Sequence, residues 1–410
     1  MQTNLHPMFK NTAVGDEAEA ILRSCVHCGF CNATCPTYQE LGDERDGPRG
    51  RIYLIKQLLE TGEATEKTRT HMDRCLTCRS CETTCPSGVE YGRLADIGKE
   101  IIERQQTRPF AEQIMRWGLR HILPYRQRFT ALLRVGQWLR PLMPAKIKEK
   151  IPSRVHLLRW PPARHSRRML VLAGCTQPGT TPNTNIAAAR VLDQLGVSLI
   201  ELPKAGCCGA VSHHLSEHDE GLGFVRANID IWWPAIEQGA EAIVVTASGC
   251  GTMVKDYGKL LKSDAMYADK ARRVSDIARD LSEVISVGDI EKLKFKTDGL
   301  KTAIHCPCSL QHGLQLPDHV DRLLEKAGID IAKTVDKHLC CGSAGTYSLL
   351  QPVMSSNLLD NKLEALTVDS PDRIVTANVG CQLHLATRSQ VPVQHWIELL
   401  EQGMSSHLND

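Results

Sequence analysis

Two short cysteine runs near the amino terminus constrain the fold of this chain more than any other feature of its sequence. The first begins at Cys25 and ends at Pro36, the second begins at Cys75 and ends at Pro86, and both follow the spacing C-x2-C-x2-C-x3-C-P. Three cysteines with two residues between each and the next can surround one corner of an iron–sulfur cubane, while the fourth thiol points away from it. The repeated run therefore predicts a domain built around metal-binding loops.

The spacing also predicts which thiols share a cluster, because it is the spacing of bacterial two-cluster ferredoxins, whose runs exchange their fourth cysteine. We assign one [4Fe–4S] cluster to Cys25, Cys28, Cys31 and Cys85. We assign the second [4Fe–4S] cluster to Cys75, Cys78, Cys81 and Cys35. The alternative is structural zinc, which usually takes its ligands as two separated pairs and fits these runs poorly.

The cellular compartment decides what the 17 cysteines of this 410-residue chain can do. Residues 1–7 show no basic segment followed by an apolar one, so we expect no secretory signal and a cytoplasmic location. No apolar run approaches the roughly 18–20 residues that span a bilayer. Cytoplasmic thiols stay reduced, so clustered cysteines indicate metal or redox chemistry rather than disulfides.

The segment between the two runs predicts a helix. Pro48 suits a first helical position, and Ile52, Ile55 and Leu58 recur at helical spacing. We therefore expect residues 1–107 to form a helical ferredoxin-like domain. Arg49 and Arg51 would lie near the start of this helix, where the dipole disfavours cations. We expect either an anionic partner for them, such as cluster thiolates or a partner surface, or simple solvation.

Residues 108–168 form a basic connector, with fifteen Lys and Arg against two acids, Glu112 and Glu149, and half of the six tryptophans. Parts of it could form basic amphipathic helices, which are typical of membrane-surface or partner-docking elements. We hypothesise docking to a partner subunit, with peripheral contact at the inner face of a membrane. The residues that would carry it are Arg116, Arg120, Arg126 and Arg128. A solvated face is the plainest alternative. No readout motif accompanies the charge, so we expect no nucleic-acid partner.

The carboxyl-terminal half predicts a duplicated α/β fold. Four unbroken aliphatic runs suit buried parallel strands, and helix-like segments such as 186–196 lie between them. The four runs are 169–173, 242–246, 302–304 and 373–376. Each half runs strand, cysteine, helix, strand, Cys-Cys-Gly, helix, strand, cysteine. We place the first repeat at 169–298 and the second at 299–410.

The cysteines of the two repeats fall at matching positions. Thirty-two residues separate Cys175 from Cys207 and also Cys308 from Cys340. The first set is Cys175, Cys207, Cys208 and Cys250, and the second is Cys308, Cys340, Cys341 and Cys381. Cysteines at strand ends lie where α/β sheets usually bind ligands, at the carboxyl edge. We expect additional metal sites, with dithiol redox chemistry and plain core packing as alternatives. Cys306 has no counterpart in the first repeat, and we treat it as a spare or alternative ligand.

These motifs together resemble the family of glycolate oxidase iron–sulfur subunits, over essentially the whole chain. The resemblance rests on the two cysteine runs, the segment Asp46-Gly47-Pro48-Arg49-Gly50-Arg51 and both Cys-Cys-Gly repeats. Similar proteins include the C subunit of anaerobic glycerol-3-phosphate dehydrogenase, lactate-utilisation iron–sulfur proteins and the Cys-Cys-Gly subunit of heterodisulfide reductase. The last of these ends each repeat with Cys-x-x-Cys, whereas here Ala247 and Asn378 occupy the first position.

The resemblance implies an electron-transfer subunit of an oxidoreductase complex. A flavin subunit would oxidise glycolate to glyoxylate beside a related companion subunit, and this chain would pass the electrons to a quinone or another acceptor. The alternatives are the corresponding role in glycerol-3-phosphate or lactate oxidation, and a heterodisulfide-reductase-like catalytic subunit. A zinc-bound scaffold is the non-enzymatic alternative. We predict no catalytic residue and no other cofactor site on this chain, since it has no G-x-G-x-x-G that follows a strand.

Overall fold

Four of the six helices described in the amino-terminal part begin at a capping side chain or a proline. Thr12 and Thr65 accept backbone N–H groups at the starts of α1 and α4, and Pro36 and Pro48 begin α2 and α3. The helices are α1 Ala13–Ser24, α2 Pro36–Leu41, α3 Pro48–Thr61, α4 Glu66–Asp73, α5 Ser80–Thr83 and α6 Tyr91–Gln105. This confirms the predicted helix between the two cysteine runs.

The helices α3 and α6 form the centre of this part. Ile52, Ile55 and Leu58 of α3 are buried in one cluster with Leu94 and Ile97 of α6. A Cβ atom on Gly98 would approach Ile55 to 2.8 Å, so the two helices pack closely at that point. The predicted helical ferredoxin-like fold is therefore what the chain adopts here, and α3 carries Arg49 and Arg51 into it.

Two further helices, α7 Phe110–Ile122 and α8 Arg126–Leu139, follow in the basic connector. Every residue of α8 is described, and none of them is buried. The connector prediction also covers residues 145–147 and 149–150, Glu149 included, which lie outside the residues that the structure describes.

The first repeat is a four-stranded parallel sheet. Its strands are β1 Arg167–Val171, β2 Val197–Glu201, β3 Ile243–Val245 and β4 Ala278–Asp280. The order is β2-β1-β3-β4. Its helices are α9 Gln177–Thr180, α10 Asn183–Gln194, α11 Ala210–His214, α12 His218–Glu237, α13 Ser248–Lys255, α14 Tyr257–Leu260, α15 Ala268–Ile277, α16 Leu281–Val284 and α17 Val287–Lys292.

The second repeat has a three-stranded parallel sheet in the order β5-β6-β7. Its strands are β5 Thr302–His305, β6 Arg373–Thr376 and β7 Val393–His395. Its helices are α18 His319–Lys326, α19 Tyr347–Leu350, α20 Pro352–Thr367, α21 Val379–Ala386 and α22 Trp396–Leu408. All four predicted aliphatic runs therefore contain strands, and the mixed helical and α/β fold is confirmed.

One predicted strand is wrong. The strand expected before the second Cys-Cys-Gly is reduced to a single bridge between Thr302 and Ile331. At this bridge the N–H of Thr302 donates to the carbonyl of Asp330 at 2.8 Å and the N–H of Ala332 donates to the carbonyl of Thr302 at 2.9 Å, and the pairing forms no longer strand. The second repeat consequently has a shorter sheet than the first.

The structure is a computed structural model that describes residues 1–144, 148 and 151–408. Its contacts divide the chain into two units, which do not follow the order of the sequence. Unit 1 comprises Met1–Arg116 and His338–Lys362, and unit 2 comprises Trp117–Lys337 and Leu363–Asp410. This division cuts the second repeat, so the four-part division at residues 107, 168 and 298 stays a prediction. No helix within the described ranges is long and apolar enough to cross a membrane.

Candidate metal centres

The two cysteine runs of unit 1 have the same unusual backbone. His27 and Gly29 in the first run have φ of 59° and 84°, and Thr77 and Arg79 at the same positions of the second have φ of 51° and 60°. Alternation of left-handed residues with ordinary ones points successive N–H groups inward, which forms the anion-binding concavity common at iron–sulfur sites. Glycine adopts the left-handed φ at position 29 without strain, and a Cβ atom there would meet the tip of the Arg49 side chain at 2.4 Å.

A first cavity lies between the loop of the first run and the end of the second. Its volume is about 420 Å³, part of it open to solvent. The thiols that line it are Cys25, Cys28, Cys31, Cys81 and Cys85. Four of these five are the ligands assigned to one cluster from the spacing, and Cys81 is the addition. Five thiols around one space offer enough ligands for a cluster, and they come from both runs.

A second cavity, of about 300 Å³, has the complementary set of thiols. These are Cys35, Cys75, Cys78 and Cys81. The lining also includes Arg51, Thr37 and Tyr91. The structure therefore brings together the residues of each predicted set, while their ligation of a cluster stays a prediction. Four thiols that line one cavity match the ligand number of a [4Fe–4S] cluster.

A buried arginine lies against the second cavity. Arg51 is 1% exposed, its Nε donates to the carbonyl of His71 at 2.8 Å, and its Nη1 lies 3.9 Å from Sγ of Cys35. Burial lowers the pKa of this guanidinium, but the charges of Cys75, Tyr91 and Cys35 outweigh burial and raise it. Arg51 therefore stays charged beside the sulfur atoms, which answers the question of what compensates this cation.

Asp46 holds Arg51 in place and is the functional residue that the sequence analysis missed. It is fully buried, and its carboxylate accepts from Arg74 at 2.8 Å, contacts His71 at 3.0 Å and lies 3.5 Å from Arg51. Asp46 and its three partners form a buried ion-pair network. The network compensates the carboxylate, whose burial alone would be costly. The only sequence signal for Asp46 was that it belongs to the segment 46–51, on which the family resemblance partly rests. Arg49 pairs instead with Glu44, at 2.6 Å, on a more exposed surface.

Cys75 of the second cavity and Cys31 of the first have pKa values shifted in opposite directions. Burial raises the pKa of Cys75, but the charges of Arg51 and Lys99 and a hydrogen bond from Tyr91, at 3.4 Å, bring it below its usual value. Burial and the neighbouring thiol of Cys25 instead raise the pKa of Cys31 to about 11. The protein thus favours a thiolate at Cys75, whereas burial raises the pKa of Cys78 and Cys81 well above the usual value, so thiols of both cavities depend on a bound cation for deprotonation.

The second Cys-Cys-Gly segment belongs to unit 1. The hydroxyl of Tyr347 donates to the carbonyl of Arg74 at 2.9 Å, which fixes this segment beside the second run. Burial, and after it the charge of Cys340, raises the pKa of Cys78 well above its usual value. Cys340 therefore lies within electrostatic reach of the second cavity. Cys341, its neighbour, is also buried.

The four cysteines of the first repeat form a connected group in unit 2. Hydrogen bonds connect Cys175 with Cys207, Cys207 with Cys208, and Cys208 with Cys250. The hydrogen bond to Cys207, and then burial, raise the pKa of Cys175 well above its usual value. Thiols with raised pKa values are poor nucleophiles, which disfavours dithiol chemistry, while a metal would deprotonate them on binding.

The cysteines of the second repeat are divided between the units. Cys308 and Cys381 lie in unit 2, after β5 and β6, and Cys340 and Cys341 lie in unit 1. Asn378 donates to Sγ of Cys381 at 3.4 Å and accepts from the backbone of Gly249 at 3.4 Å. Cys306 is partly exposed directly after β5. The second ligand set stays a prediction from the repeat.

The comparisons with known proteins agree with this arrangement. Residues 21–89 match the 4Fe-4S dicluster domain family, and residues 169–255 and 302–386 each match the cysteine-rich domain family. The chain is 55% identical over 405 residues to the glycolate oxidase iron-sulfur subunit of Escherichia coli (strain K12), which covers 98% of this chain and 99% of that protein. The probable glycolate oxidase iron-sulfur subunit of Bacillus subtilis (strain 168) is 29% identical over 400 residues, or 90% and 89% of the two chains.

Two more distant similarities concern part of the chain or the fold. The lactate utilization protein A of Anoxybacillus flavithermus is 26% identical over 226 residues, which are 53% of this chain and 92% of that protein. A crystal structure of a hypothetical protein from Helicobacter pylori aligns with a TM-score of 0.56 at 10% identity, over 96% of this chain and 73% of that chain. The latter shows the fold alone.

Proposed function

The chain belongs to the family of glycolate oxidase iron–sulfur subunits, and on that premise we propose that it relays electrons within a complex whose flavin subunit oxidises glycolate to glyoxylate. The observation that carries the proposal is the pair of cysteine-lined cavities in unit 1. Each [4Fe–4S] cluster, when bound, takes up and releases one electron. The chain thus belongs to an oxidoreductase without performing substrate chemistry.

The cysteines of unit 1 form two sets, one for each cluster. We propose that Cys25, Cys28 and Cys31 with Cys85 hold one, and that Cys75, Cys78 and Cys81 with Cys35 hold the other. The exchange of the fourth ligand ties the two loops together, so the clusters are held at a fixed separation. Arg51 adds a positive charge beside the second set, and Tyr91 donates a hydrogen bond to it. Both groups favour the reduced state of that cluster, because reduction adds negative charge.

We propose further metal centres in the Cys-Cys-Gly repeats. The support in the first repeat is the hydrogen-bonded group of Cys175, Cys207, Cys208 and Cys250 at the carboxyl ends of β1, β2 and β3. In the second repeat the support is the matching sequence set of Cys308, Cys340, Cys341 and Cys381. Cys340 of this set lies within electrostatic reach of Cys78, inside unit 1.

We propose that α8 carries the surface that docks on a partner. This helix packs Phe129 and Leu133 near Gly179 of α9, and its opposite face leaves Leu132, Val135 and Trp138 more than half exposed. Contiguous exposed apolar side chains are typical of a protein interface. The arginines expected to dock have partners inside their own units: Arg116 pairs with Glu103 and Glu112, Arg120 with Glu217 and Glu220, and Arg126 with Glu201, while Arg128 lies over the ring of Tyr125.

This pairing favours a protein partner over anionic lipid, because three of the four arginines already pair with carboxylates. We therefore propose the flavin subunit or its companion as the occupant of this face. A quinone or another carrier as the final acceptor, a cytoplasmic location and a peripheral membrane contact are further parts of the proposal. They rest on the resemblance to the family.

The proposal is tested by adding glycolate to the anaerobically purified complex and recording EPR spectra. We expect glycolate to produce the signals of reduced clusters, and the double variant Cys28→Ser, Cys78→Ser to show none. Trp138→Glu should keep its iron but lose co-purification with the flavin subunit. If Trp138→Glu stays in the complex and instead leaves vesicles of phosphatidylglycerol and phosphatidylethanolamine, the α8 face contacts membrane. Oxidation of glycolate by this chain alone would contradict the electron-transfer role.

A further inference from the structure

One buried histidine in unit 2 lacks any partner for its polar atoms. His305, the last residue of β5, is 1% exposed, and within the described residues neither of its ring nitrogens has a hydrogen-bond partner. Buried polar groups in native proteins are nearly always satisfied, so each exception requires an explanation. His395, which is equally buried, shows the ordinary case: its Nε2 pairs with the carbonyl of Thr246 at 2.8 Å and its Nδ1 accepts from Ile397 at 3.2 Å.

The duplication shows that the histidine is specific to the second repeat. When Cys175 is aligned with Cys308, His305 falls opposite Leu172, because each residue lies three positions before its cysteine. Leu172 is 2% exposed and packs in the apolar cluster of the first sheet. The fold therefore accepts an aliphatic side chain at the end of this strand. Burial of an imidazole there, at the cost of its hydration, points to a role that the first repeat does not have.

The histidine lies beside one of the cysteines assigned to the second repeat. A ring nitrogen of His305 and Sγ of Cys381 are within 4.8 Å of each other, and both side chains are buried. Neutral imidazole and thiolate are the two side-chain ligands that zinc and iron sites combine, and two such ligands of one tetrahedral ion lie about 3.6 Å apart. The hydrogen bond from Asn378 to Cys381 stabilises a thiolate, as groups around metal ligands commonly do.

We propose that His305 is a nitrogen ligand, together with Cys381, of a metal centre in the second repeat, either an iron–sulfur cluster or a zinc ion. This deepens the proposed function and rests on the metal centres proposed there for the repeats. The two repeats then hold different ligand sets, thiolates alone in the first and thiolates with imidazole in the second. An imidazole ligand is neutral, so it adds no negative charge to the centre, whereas each thiolate adds one.

Three variants of the full chain, purified without oxygen, test the proposal. Cys381→Ser measures how much iron or zinc the centre holds, His305→Leu installs the residue of the first repeat, and His395→Gln is the control for a buried histidine. Iron and zinc contents identify the metal. Histidine coordination is read from nitrogen couplings in pulsed EPR of protein labelled with 15N-histidine if the metal is iron, and from zinc-edge X-ray absorption if it is zinc.

We expect His305→Leu to lose the same metal as Cys381→Ser, with at least tenfold weaker retention against a chelator, and to lose the histidine signal. His395→Gln should keep both. Full metal content in His305→Leu with an unchanged nitrogen signal would overturn the assignment of His305 alone. If Cys381→Ser changes neither iron nor zinc, the second-repeat centre is absent and the proposal fails with it. The glycolate-driven reduction of the unit 1 clusters is measured separately, so that failure is distinguishable.

Discussion

Replacement of Cys85 by serine is expected to remove the cluster held by the first cysteine run and to leave the cluster of its own run in place. Cys85 lines the cavity with Cys25, Cys28 and Cys31, although fifty residues or more separate it from them in sequence. Serine is a weak iron ligand, so the iron content should fall by about four atoms per chain, the content of one [4Fe–4S] cluster. Iron analysis and the EPR spectrum of the reduced protein measure this loss.

Cys35→Ser is the matched control, because Cys35 has the same place in the first run and lines the other cavity. It should remove the cluster of Cys75, Cys78 and Cys81, so the two variants should retain different EPR signals. If each serine variant instead loses the cluster of its own run, the exchanged ligation is wrong and the two runs act as separate sites.

Replacement of Arg51 by glutamine is expected to lower the reduction potential of the second cluster by on the order of 100 mV. The guanidinium is buried and its Nη1 lies 3.9 Å from Sγ of Cys35. A unit charge at about 4 Å contributes about 4 kcal/mol at an effective dielectric constant of about 20, and roughly half of that at twice the distance. The added electron spreads over the whole cluster, so the smaller value applies. The potential is measured by redox titration monitored by EPR.

The control variants separate charge from packing. Arg51→Lys keeps the positive charge and should shift the potential far less, and Arg49→Gln should have a small effect because Arg49 pairs with Glu44 at a more exposed position. Iron content is measured alongside, since loss of Arg51 also removes one partner of the buried Asp46. An unchanged or raised potential in Arg51→Gln, at full iron content, would show that this charge does not act on the cluster.

The local features of this fold were predictable because their signals are short and repeated. The helix from Pro48 followed from the spacing of Ile52, Ile55 and Leu58, and the four aliphatic runs became strands because parallel strands are buried on both faces. The spacing also predicts the grouping of the eight amino-terminal cysteines; each predicted set lines one cavity, while its ligation of a cluster stays a prediction.

The features that sequence did not predict depend on contacts between distant residues. The sequence around Asp46 does not indicate that this residue contacts Arg74 and His71 beside Arg51. These contacts form only when the helices pack. The placement of residues 338–362 in unit 1 is a matter of tertiary packing in the same way. His305 was one histidine among sixteen until its burial and its lack of partners in the described structure set it apart.

The most direct test of the account is the iron and acid-labile sulfide content of the full chain purified without oxygen. The two cavities of unit 1 predict at least about eight iron and eight sulfide atoms per chain, the content of two [4Fe–4S] clusters. Reduction should give two EPR signals that interact, because the exchanged ligands hold the clusters close together. A colourless protein that contains zinc and no sulfide would contradict the central claim that this chain conducts electrons through two iron–sulfur clusters.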